Sequence, residues 1–193
     1  FNYDLMGNSA KITDAEGNTT TFTYNPNNQI TQINYTDLTY TTFTYDKVGN
    51  RISVRDYLGN ETRYEYDVVD RLIEVTDALS NVTTNNYDNE GNIIAVTDAD
   101  GNQTSYEYDI LNRLIKAVNA LGIAVEYQYD NVGNRTQLKD GKTNIIGYTY
   151  DSLNRLTKIT YPDASIATYI YNCCKLIEVQ DRNGTLNFTY DIL

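Results

Sequence analysis

A tyrosine followed by Asp or Asn recurs at Tyr3, Tyr24, Tyr45, Tyr66, Tyr87, Tyr108, Tyr129, Tyr150 and Tyr171. Every step is 21 residues, and the last, to Tyr190, is 19. A fixed period of this length is the signature of a solenoid, propeller or array, in which each unit leans on its neighbours. Eight uninterrupted steps exclude coincidence, so any fold for this chain must be one small unit used many times over.

The third unit shows the pattern of the repeat. In Arg51-Ile52-Ser53-Val54-Arg55-Asp56, Ile52 and Val54 fall on one face and the polar residues on the other. In Glu61-Thr62-Arg63-Tyr64-Glu65-Tyr66, Thr62, Tyr64 and Tyr66 share a face opposite Glu61, Arg63 and Glu65. Alternation at period two predicts half-buried strands. Asp-x-x-Gly-Asn stretches at 46–50, 56–60 and 98–102 separate the strands. An Asp that opens a turn accepts backbone N–H groups, and Gly tolerates positive φ, so short hairpin connections follow. Each unit is then two antiparallel strands and two turns. A lone hairpin is marginal in water, so successive hairpins must pair to bury one face.

Two rows of side chains come into line on this scheme. One is the tyrosine of each Tyr-Asp pair; the other is Phe22, Phe43, Tyr64, Tyr106, Tyr127, Tyr148, Tyr169 and Phe188. Aromatic cross-strand pairs are worth about 0.2–1 kcal/mol each, so two ladders are expected to supply most of the cohesion. Asn85 interrupts the second ladder and predicts a weak unit in mid-array. A finer period of 42 is present as well. Gly-Asn closes the first turn at Gly7, Gly49, Gly91 and Gly133, whereas Asp70-Arg71, Asn112-Arg113 and Asn154-Arg155 close the turns between. The expectation is that these two kinds of turn lie in different environments, for example on different rims of a curved sheet.

Composition removes several function classes. The chain contains no His and no Trp, so Ser/His/Asp catalysis, Cys/His catalysis and imidazole metal sites are excluded. Its formal net charge is −11, from 26 Asp and Glu against 15 Lys and Arg, with no basic cluster; nucleic acid is not an expected partner. No apolar run reaches 18 residues, so no membrane-spanning helix is expected. The opening Phe1-Asn2-Tyr3-Asp4 has neither an initiator Met nor a signal-peptide profile, which predicts a processed chain or a piece of something longer. The 19 Tyr, 25 Thr and 24 Asn against 2 Pro suit exposed antiparallel sheet with tight turns.

Four features carry possible chemistry. The adjacent Cys173 and Cys174 could form a vicinal disulfide or a reactive thiol, but no His activates them, and they read as small fillers of an imperfect turn. Asp46, Asp56, Asp67, Asp77, Asp88, Asp98 and Asp109 could align to bind calcium. The loop from Asp98 lacks the bidentate Glu at position twelve, where Asp109 stands, so turn capping explains them better. A carboxylate repeated in every unit is not the singled-out acid that paired-carboxylate catalysis needs. Asn-x-Ser/Thr sequons occur at Asn18, Asn34, Asn60, Asn81, Asn102, Asn134, Asn183 and Asn187, mostly because a turn Asn precedes a strand Thr by two residues. The tyrosine faces could stack on sugars, although ladder packing accounts for them. No catalytic, cofactor-binding or metal-binding residue is therefore expected, and no cofactor.

The repeat resembles the Rhs or YD-repeat family. Arg71-Leu72-Ile73-Glu74-Val75-Thr76-Asp77 and Gly101-Asn102-Gln103-Thr104-Ser105-Tyr106-Glu107-Tyr108-Asp109 match that family's pattern, and the likeness spans essentially the whole chain. The resemblance implies a β-ribbon that winds into a spiral, as in bacterial polymorphic toxins, insecticidal toxin complexes and teneurin receptors. In the toxin members such a shell encloses a toxic C-terminal segment. The core segment that follows the repeats in those members has no counterpart between residues 1 and 193.

The resulting expectation is an all-β fold: one array, residues 1–193, of about nine antiparallel hairpin repeats of 21 residues, forming a continuous curved or spiralling β-sheet solenoid. A four-bladed propeller is the runner-up, since 42 residues is close to a four-strand blade. The expected function is a non-catalytic scaffold, secreted or at a cell surface, that encloses or displays a toxin or other module. Two alternatives stand beside it: a self-assembling extracellular filament and an adhesin for glycans or receptors. Expected partners are flanking repeats or other copies through open edge strands, an enclosed toxin, or a surface glycan.

Overall fold

The computed structural model describes residues 1–190; the last three residues of the expected array lie outside the described residues. Nineteen strands and no helix are found among them. They are β1 (Asn2–Tyr3), β2 (Ser9–Thr13), β3 (Thr19–Tyr24), β4 (Ile30–Asn34), β5 (Tyr40–Tyr45), β6 (Arg51–Asp56), β7 (Glu61–Tyr66), β8 (Leu72–Thr76), β9 (Val82–Tyr87) and β10 (Ile93–Thr97). They continue with β11 (Gln103–Tyr108), β12 (Leu114–Val118), β13 (Ala124–Tyr129), β14 (Arg135–Lys139), β15 (Ile145–Tyr150), β16 (Leu156–Thr160), β17 (Ile166–Asn172), β18 (Lys175–Asp181) and β19 (Gly184–Asn187). The strands read from the third unit, 51–56 and 61–66, coincide with β6 and β7.

The chain divides into two compact units. The first is residues 1–86 with 96–101, and the second is residues 87–95 with the stretch from 102 onward. In the first, β1 to β9 pair antiparallel in sequence order, each strand with the one before and the one after. In the second, β11 to β19 do the same. The tandem hairpin array expected from the period is thus the observed fold.

Two regularities of register shape every hairpin. Within a Tyr-Asp hairpin the even-numbered strand carries one extra residue. Thr23 faces Gln32 while Tyr24 faces Ile30, leaving Thr31 as a bulge; Ile52 and Ile115 hold the same place in β6 and β12. A bulge sharpens local twist and breaks the ladder beside it. Between hairpins the ladder is short. The β2/β3 pairing runs from Thr13 opposite Thr19 to Lys11 opposite Thr21 and stops before Ser9. Neighbouring hairpins therefore part company near the turn that follows each tyrosine.

There is no packed interior of the two-layer kind. Among the described residues only Ala95, Ala167 and Ser53 are buried, and no large side chain is fully enclosed. Cohesion has to run along the sheet from hairpin to hairpin.

Candidate functional site

The turns carry most of the polar chemistry. Each Tyr-Asp turn from 4–8 to 151–155 is a five-residue frame in which the first residue donates its N–H to the fifth carbonyl, at 2.9 Å from Asp46 to Asn50. The fourth residue returns a bond to the first, at 3.1 Å from Gly7 to Asp4. The fourth residue has positive φ whether it is glycine or not: Gly49 at 109°, Asp70 at 64° and Asn112 at 59°. This is the three-residue hairpin loop that ends in a left-handed bulge residue. Asn and Asp tolerate that conformation better than other non-glycine residues, which is why they replace Gly in alternate turns. The second turn of each unit repeats the frame, with Gly59, Ser80, Leu38 or Ala164 at the left-handed position.

The opening aspartate locks the frame. Asp46 Oδ1 accepts N–H groups from Val48 at 3.0 Å, Gly49 at 2.7 Å and Asn50 at 2.9 Å, while Oδ2 accepts the Asn50 amide at 3.1 Å. Asp56 holds Asn60 and Asp77 holds Asn81 in the same manner. Where Arg takes the fifth place, its Nε donates to the aspartate Oδ2 at 2.7 Å, in Arg71–Asp67, Arg113–Asp109 and Arg155–Asp151. These bonds favour the charged carboxylate. Asn60 holds the Asp56 carboxyl below its usual range, and Arg113 does so for Asp109. At Asp46 partial burial pulls the other way, but the bonds from Asn50 and Gly49 outweigh it.

The same bonds account for the regular spacing of the turn aspartates. In Asp46, Asp56, Asp77 and Asp88 both carboxylate oxygens are spent on their own turn. In Asp67 and Asp109 one oxygen holds backbone and the other an Arg. Asp98 Oδ1 accepts the Asp100 N–H at 3.0 Å. Among the described residues no group of three or more carboxylates or thiols is placed to hold a metal ion. Among the described residues every carboxyl with a resolved shift moves down, because its hydrogen bonds favour the charged form.

Successive Tyr-Asp turns are tied to one another, and this accounts for the 42-residue period. The fifth-place Asn of each Gly-type turn donates to the left-handed residue of the next turn. Asn8 reaches Asn28 at 3.0 Å, Asn50 reaches Asp70 at 2.8 Å, Asn92 reaches Asn112 at 3.0 Å and Asn134 reaches Asn154 at 3.0 Å. The fifth residue of that next turn then donates onward to backbone. Gln29 Nε2 reaches the Gly49 carbonyl at 2.9 Å, Arg113 Nη1 the Asp130 carbonyl at 2.9 Å, and Arg155 the Cys173 carbonyl. Arg113 and Arg155 also lie over the rings of Tyr129 and Tyr171, at 4.7 and 4.5 Å. In each unit the two kinds of turn thus alternate along one row. The expectation of two different rims is replaced by a single row in which every turn donates forward, to a side chain from a Gly-type turn and to a backbone carbonyl from a non-Gly turn.

The tyrosine of each Tyr-Asp pair acts as a latch. Its phenol donates to a carbonyl 15 residues earlier: Tyr24 to Ser9 at 2.9 Å, Tyr45 to Ile30 at 2.8 Å and Tyr66 to Arg51 at 3.0 Å. In the second unit Tyr108 reaches Ile93 at 2.9 Å, Tyr129 reaches Leu114 at 2.9 Å, Tyr150 reaches Arg135 at 3.0 Å and Tyr171 reaches Leu156 at 2.9 Å. These carbonyls lie where neighbouring hairpins part, so the phenol supplies the donor that the interrupted ladder does not. Burial pushes the phenols of Tyr66, Tyr108 and Tyr150 upward in pKa.

The second ladder is built differently from a stack of rings. Its aromatics sit on alternate strands, about 9.6 Å apart, outside the 4.5–7 Å of a direct ring pair. Each faces an aliphatic residue instead: Phe22 opposite Ile33, Phe43 opposite Val54, Tyr64 opposite Val75, Tyr127 opposite Leu138 and Tyr148 opposite Ile159. In two places an arginine fills the gap. Arg51 lies 5.9 Å from the Phe43 ring and 5.2 Å from Tyr64, and Arg135 lies 5.9 Å from Tyr127 and 4.9 Å from Tyr148. Asn85 does not leave a simple gap: its amide donates to the Leu72 carbonyl at 3.1 Å.

The remaining candidates gain nothing from the structure. Cys173 and Cys174 are free and exposed, and they form the two-residue loop between Asn172 and Lys175. They are not packed as fillers. Sequon residues Asn18, Asn60, Asn81 and Asn134 spend their amides on turn aspartates. A shallow recess of about 470 Å³ is lined by Asn144, Tyr161, Pro162, Asp163 and Arg182, and the Arg182–Asp163 ion pair at 3.0 Å occupies its polar side.

A one-layer array of self-capped hairpins, stitched turn to turn, defines a structural repeat protein. The profile of the RHS repeat family matches residues 3–40, 45–82 and 87–124, more than half of the sequence, and the chain belongs to that family. No curated protein matches it in sequence. Similar solved structures include TcdB2-TccC3-Cdc42, with a TM-score of 0.73 at 17% identity over 96% of this chain. A Tc holotoxin pore of Photorhabdus luminescens aligns at 0.64 and 19% over 94%, and TcdB2-TccC3 at 0.59 and 15% over 97%. The aligned part is 12%, 12% and 13% of those chains, respectively, so the likeness is to a small section of much longer proteins.

Proposed function

We propose that this chain is a length of non-catalytic wall in an exported Rhs-repeat protein, enclosing or displaying a toxin or other module. The observation that carries the reading is the use made of polar side chains. Turn carboxylates hold their own turns, while turn amides, arginines and tyrosine phenols hold one hairpin to the next, which suits the sheet to bearing load. Among the similar structures are a Tc holotoxin and a TcdB2-TccC3 lacking a hypervariable C-terminal region. They supply the precedent for a wall that accompanies a variable module. The test is protease protection in the full gene product that contains residues 1–193. A flanking module that resists digestion until the repeats are unfolded supports enclosure; a module cut at the same rate with the repeats intact refutes it.

One observation favours a second reading, a self-assembling extracellular filament. Within each unit strands pair antiparallel in sequence order, and the ladder that joins one hairpin to the next is the contact by which separate copies would pair. Particles that stay monomeric by electron microscopy at high concentration would remove it. Binding of glycans by the tyrosine faces is the third outcome to be scored, on a glycan array.

A further inference from the structure

The second turn of each repeat departs from its pattern in one place. Asp opens it at 14, 56, 77, 98 and 140 and Asn at 119, and the opening side chain locks the frame, as Asp140 does with Asn144. Tyr161 opens the turn at 161–165 instead, and Asp163 takes over, its Oδ1 accepting the Ser165 N–H at 2.9 Å and hydroxyl at 2.5 Å. Tyr35 opens the turn at 35–39 in the same way, with Asp37 holding Thr39. The two tyrosine-opened turns differ in what comes next. After 35–39 comes a five-residue frame at 56–60; after 161–165 comes a loop of only Arg182 and Asn183, with Asp181 paired directly to Gly184. Beside that shortened loop, within the second unit, opens the recess of about 470 Å³. Tyr161, Pro162 and Ile166 form its apolar part, and Asp181, Arg182 and Asn183 its polar part. Arg182 is held by Asp163 at 3.0 Å, and Asp181 Oδ1 takes the Asn183 N–H at 2.7 Å. Among the described residues the Tyr161 hydroxyl and the Asn183 side-chain amide hold no hydrogen bond, whereas the amides of Asn60, Asn81 and Asn144 are spent on their own aspartates.

We propose that this recess is a binding site for a neutral hexopyranoside. A pyranose ring has an apolar C–H face and a rim of hydroxyls that each donate and accept. It needs a flat apolar wall with planar polar groups of both kinds beside it. Tyr161, flanked by Pro162 and Ile166, supplies the wall. The Asn183 amide donates and accepts, the second oxygen of Asp181 accepts, and the Tyr161 hydroxyl does either. The volume falls within the roughly 300–1,000 Å³ of small-molecule sites, which join an apolar lining to a few convergent polar groups. Charge decides against an ionic ligand. An anion would meet Asp181 with no cation to spare, since Arg182 is already paired with Asp163. A cation would be drawn by one exposed carboxylate, an attraction that solvent and salt screen. A neutral polyol loses nothing on either account.

The site does not depend on the wall reading, because a wall encloses equally well with a sugar site on its margin or without one. Saturation-transfer NMR on the 193-residue chain tests it, with methyl β-D-glucopyranoside, methyl β-D-galactopyranoside and methyl α-D-mannopyranoside offered singly. At least one is expected to receive saturation at its ring C–H protons. Tyr161→Ala should weaken that binding about tenfold, the upper end of what an aromatic contact is worth. Asn183→Ala should weaken it about fivefold, the loss of one neutral hydrogen bond, while Tyr161→Phe keeps the wall and should stay within about threefold of the parent. Tyr35→Ala, at the turn with no shortened loop beside it, should leave binding unchanged. Tyr161 and Asn183 are both exposed, so the variants are expected to keep the parent's ellipticity. No transfer to any of the three sugars overturns the site, and so does transfer that survives both Tyr161→Ala and Asn183→Ala. Equal loss in Tyr35→Ala and Tyr161→Ala also overturns it, and assigns sugar binding to the tyrosine-rich surface at large.

Discussion

Replacing Tyr108 with phenylalanine isolates the latch from everything else the tyrosine does. The ring, its place in β11 and the turn that follows are kept; only the hydroxyl that donates to the Ile93 carbonyl at 2.9 Å is lost. That carbonyl lies where neighbouring hairpins separate, so removal of the donor leaves a half-buried acceptor with reduced access to water. The expected cost is about 1 kcal/mol, the net worth of a neutral hydrogen bond, rising toward about 2 kcal/mol if water does not replace the phenol. For a chain of this length about 1 kcal/mol corresponds to roughly 2–4 °C in Tm. Tyr57 is half exposed on a turn, and its hydroxyl has no partner among the described residues, so Tyr57→Phe is the control. Urea unfolding of both variants, followed by circular dichroism, gives the comparison. Adding Tyr150→Phe should double the loss, because the two latches are four strands apart, about 19 Å, and share no partner. Equal stability of Tyr108→Phe and Tyr57→Phe would refute the latch and return the tyrosines to simple packing.

Asn50 ties both Asp46 and Asp70, whereas Asn60 ties only Asp56. Asn50→Ala should therefore cost about 1 kcal/mol more than Asn60→Ala in the same urea assay. Asn85→Ala should lower stability by about 1 kcal/mol through loss of the bond to Leu72; a neutral result would mean that Asn85 is only a gap in the ladder. Acid should unfold the array steeply. The turn carboxyls have folded-state pKa values below the ordinary 3.8, so their contribution is present above that value and fades as pH falls through the folded values, below about 4. A pH titration of ellipticity that stays flat below 4 would contradict it. Base acts through the partly buried phenols of Tyr66, Tyr108 and Tyr150. Their raised values give stability that is complete below pH 10 and lost as pH climbs through the folded pKa, so phenolate absorbance and loss of structure should rise together. Cys173→Ser combined with Cys174→Ser should move stability by less than about 0.5 kcal/mol, since both side chains are exposed.

Much of this fold could be read from spacing because spacing is what it depends on. Period two placed Arg51 to Asp56 and Glu61 to Tyr66 on strands, and Asp-x-x-Gly-Asn placed the turns, since both signals act within a few residues. What escaped was set by neighbours distant in sequence. The phenol of Tyr108 finds Ile93 because a bulge and a short ladder draw two hairpins apart, and nothing near residue 108 announces either. The alternation of Gly49-Asn50 with Asp70-Arg71 was plain to see, but its meaning required knowing that these turns lie side by side. Spacing lines up Phe22 and Phe43 as neighbours, but β4 lies between their strands, with Ile33 opposite Phe22 on one side and Thr41 on the other. Cys173 and Cys174 read as fillers in the sequence because a turn of unusual length does not show whether its side chains point in or out.

A one-layer sheet faces a problem that two-layer domains do not. With almost nothing fully buried, it cannot draw the usual stabilisation from a core and must recover it from many small contacts at its margins. The turn at 46–50 illustrates how far this goes in the present chain: Asp46 satisfies three N–H groups and an amide, Asn50 serves Asp46 and Asp70 together, and Gln29 reaches in from the Tyr-Asp turn before. Side chains committed in this way have a geometry that tolerates few substitutions at the turns. The faces and the tips of the turns carry no such obligation, and Leu5, Val68 and Ile110 stand fully exposed there. A repeat organised like this can change what it presents to its surroundings while keeping its stitching, which is the property required of a wall.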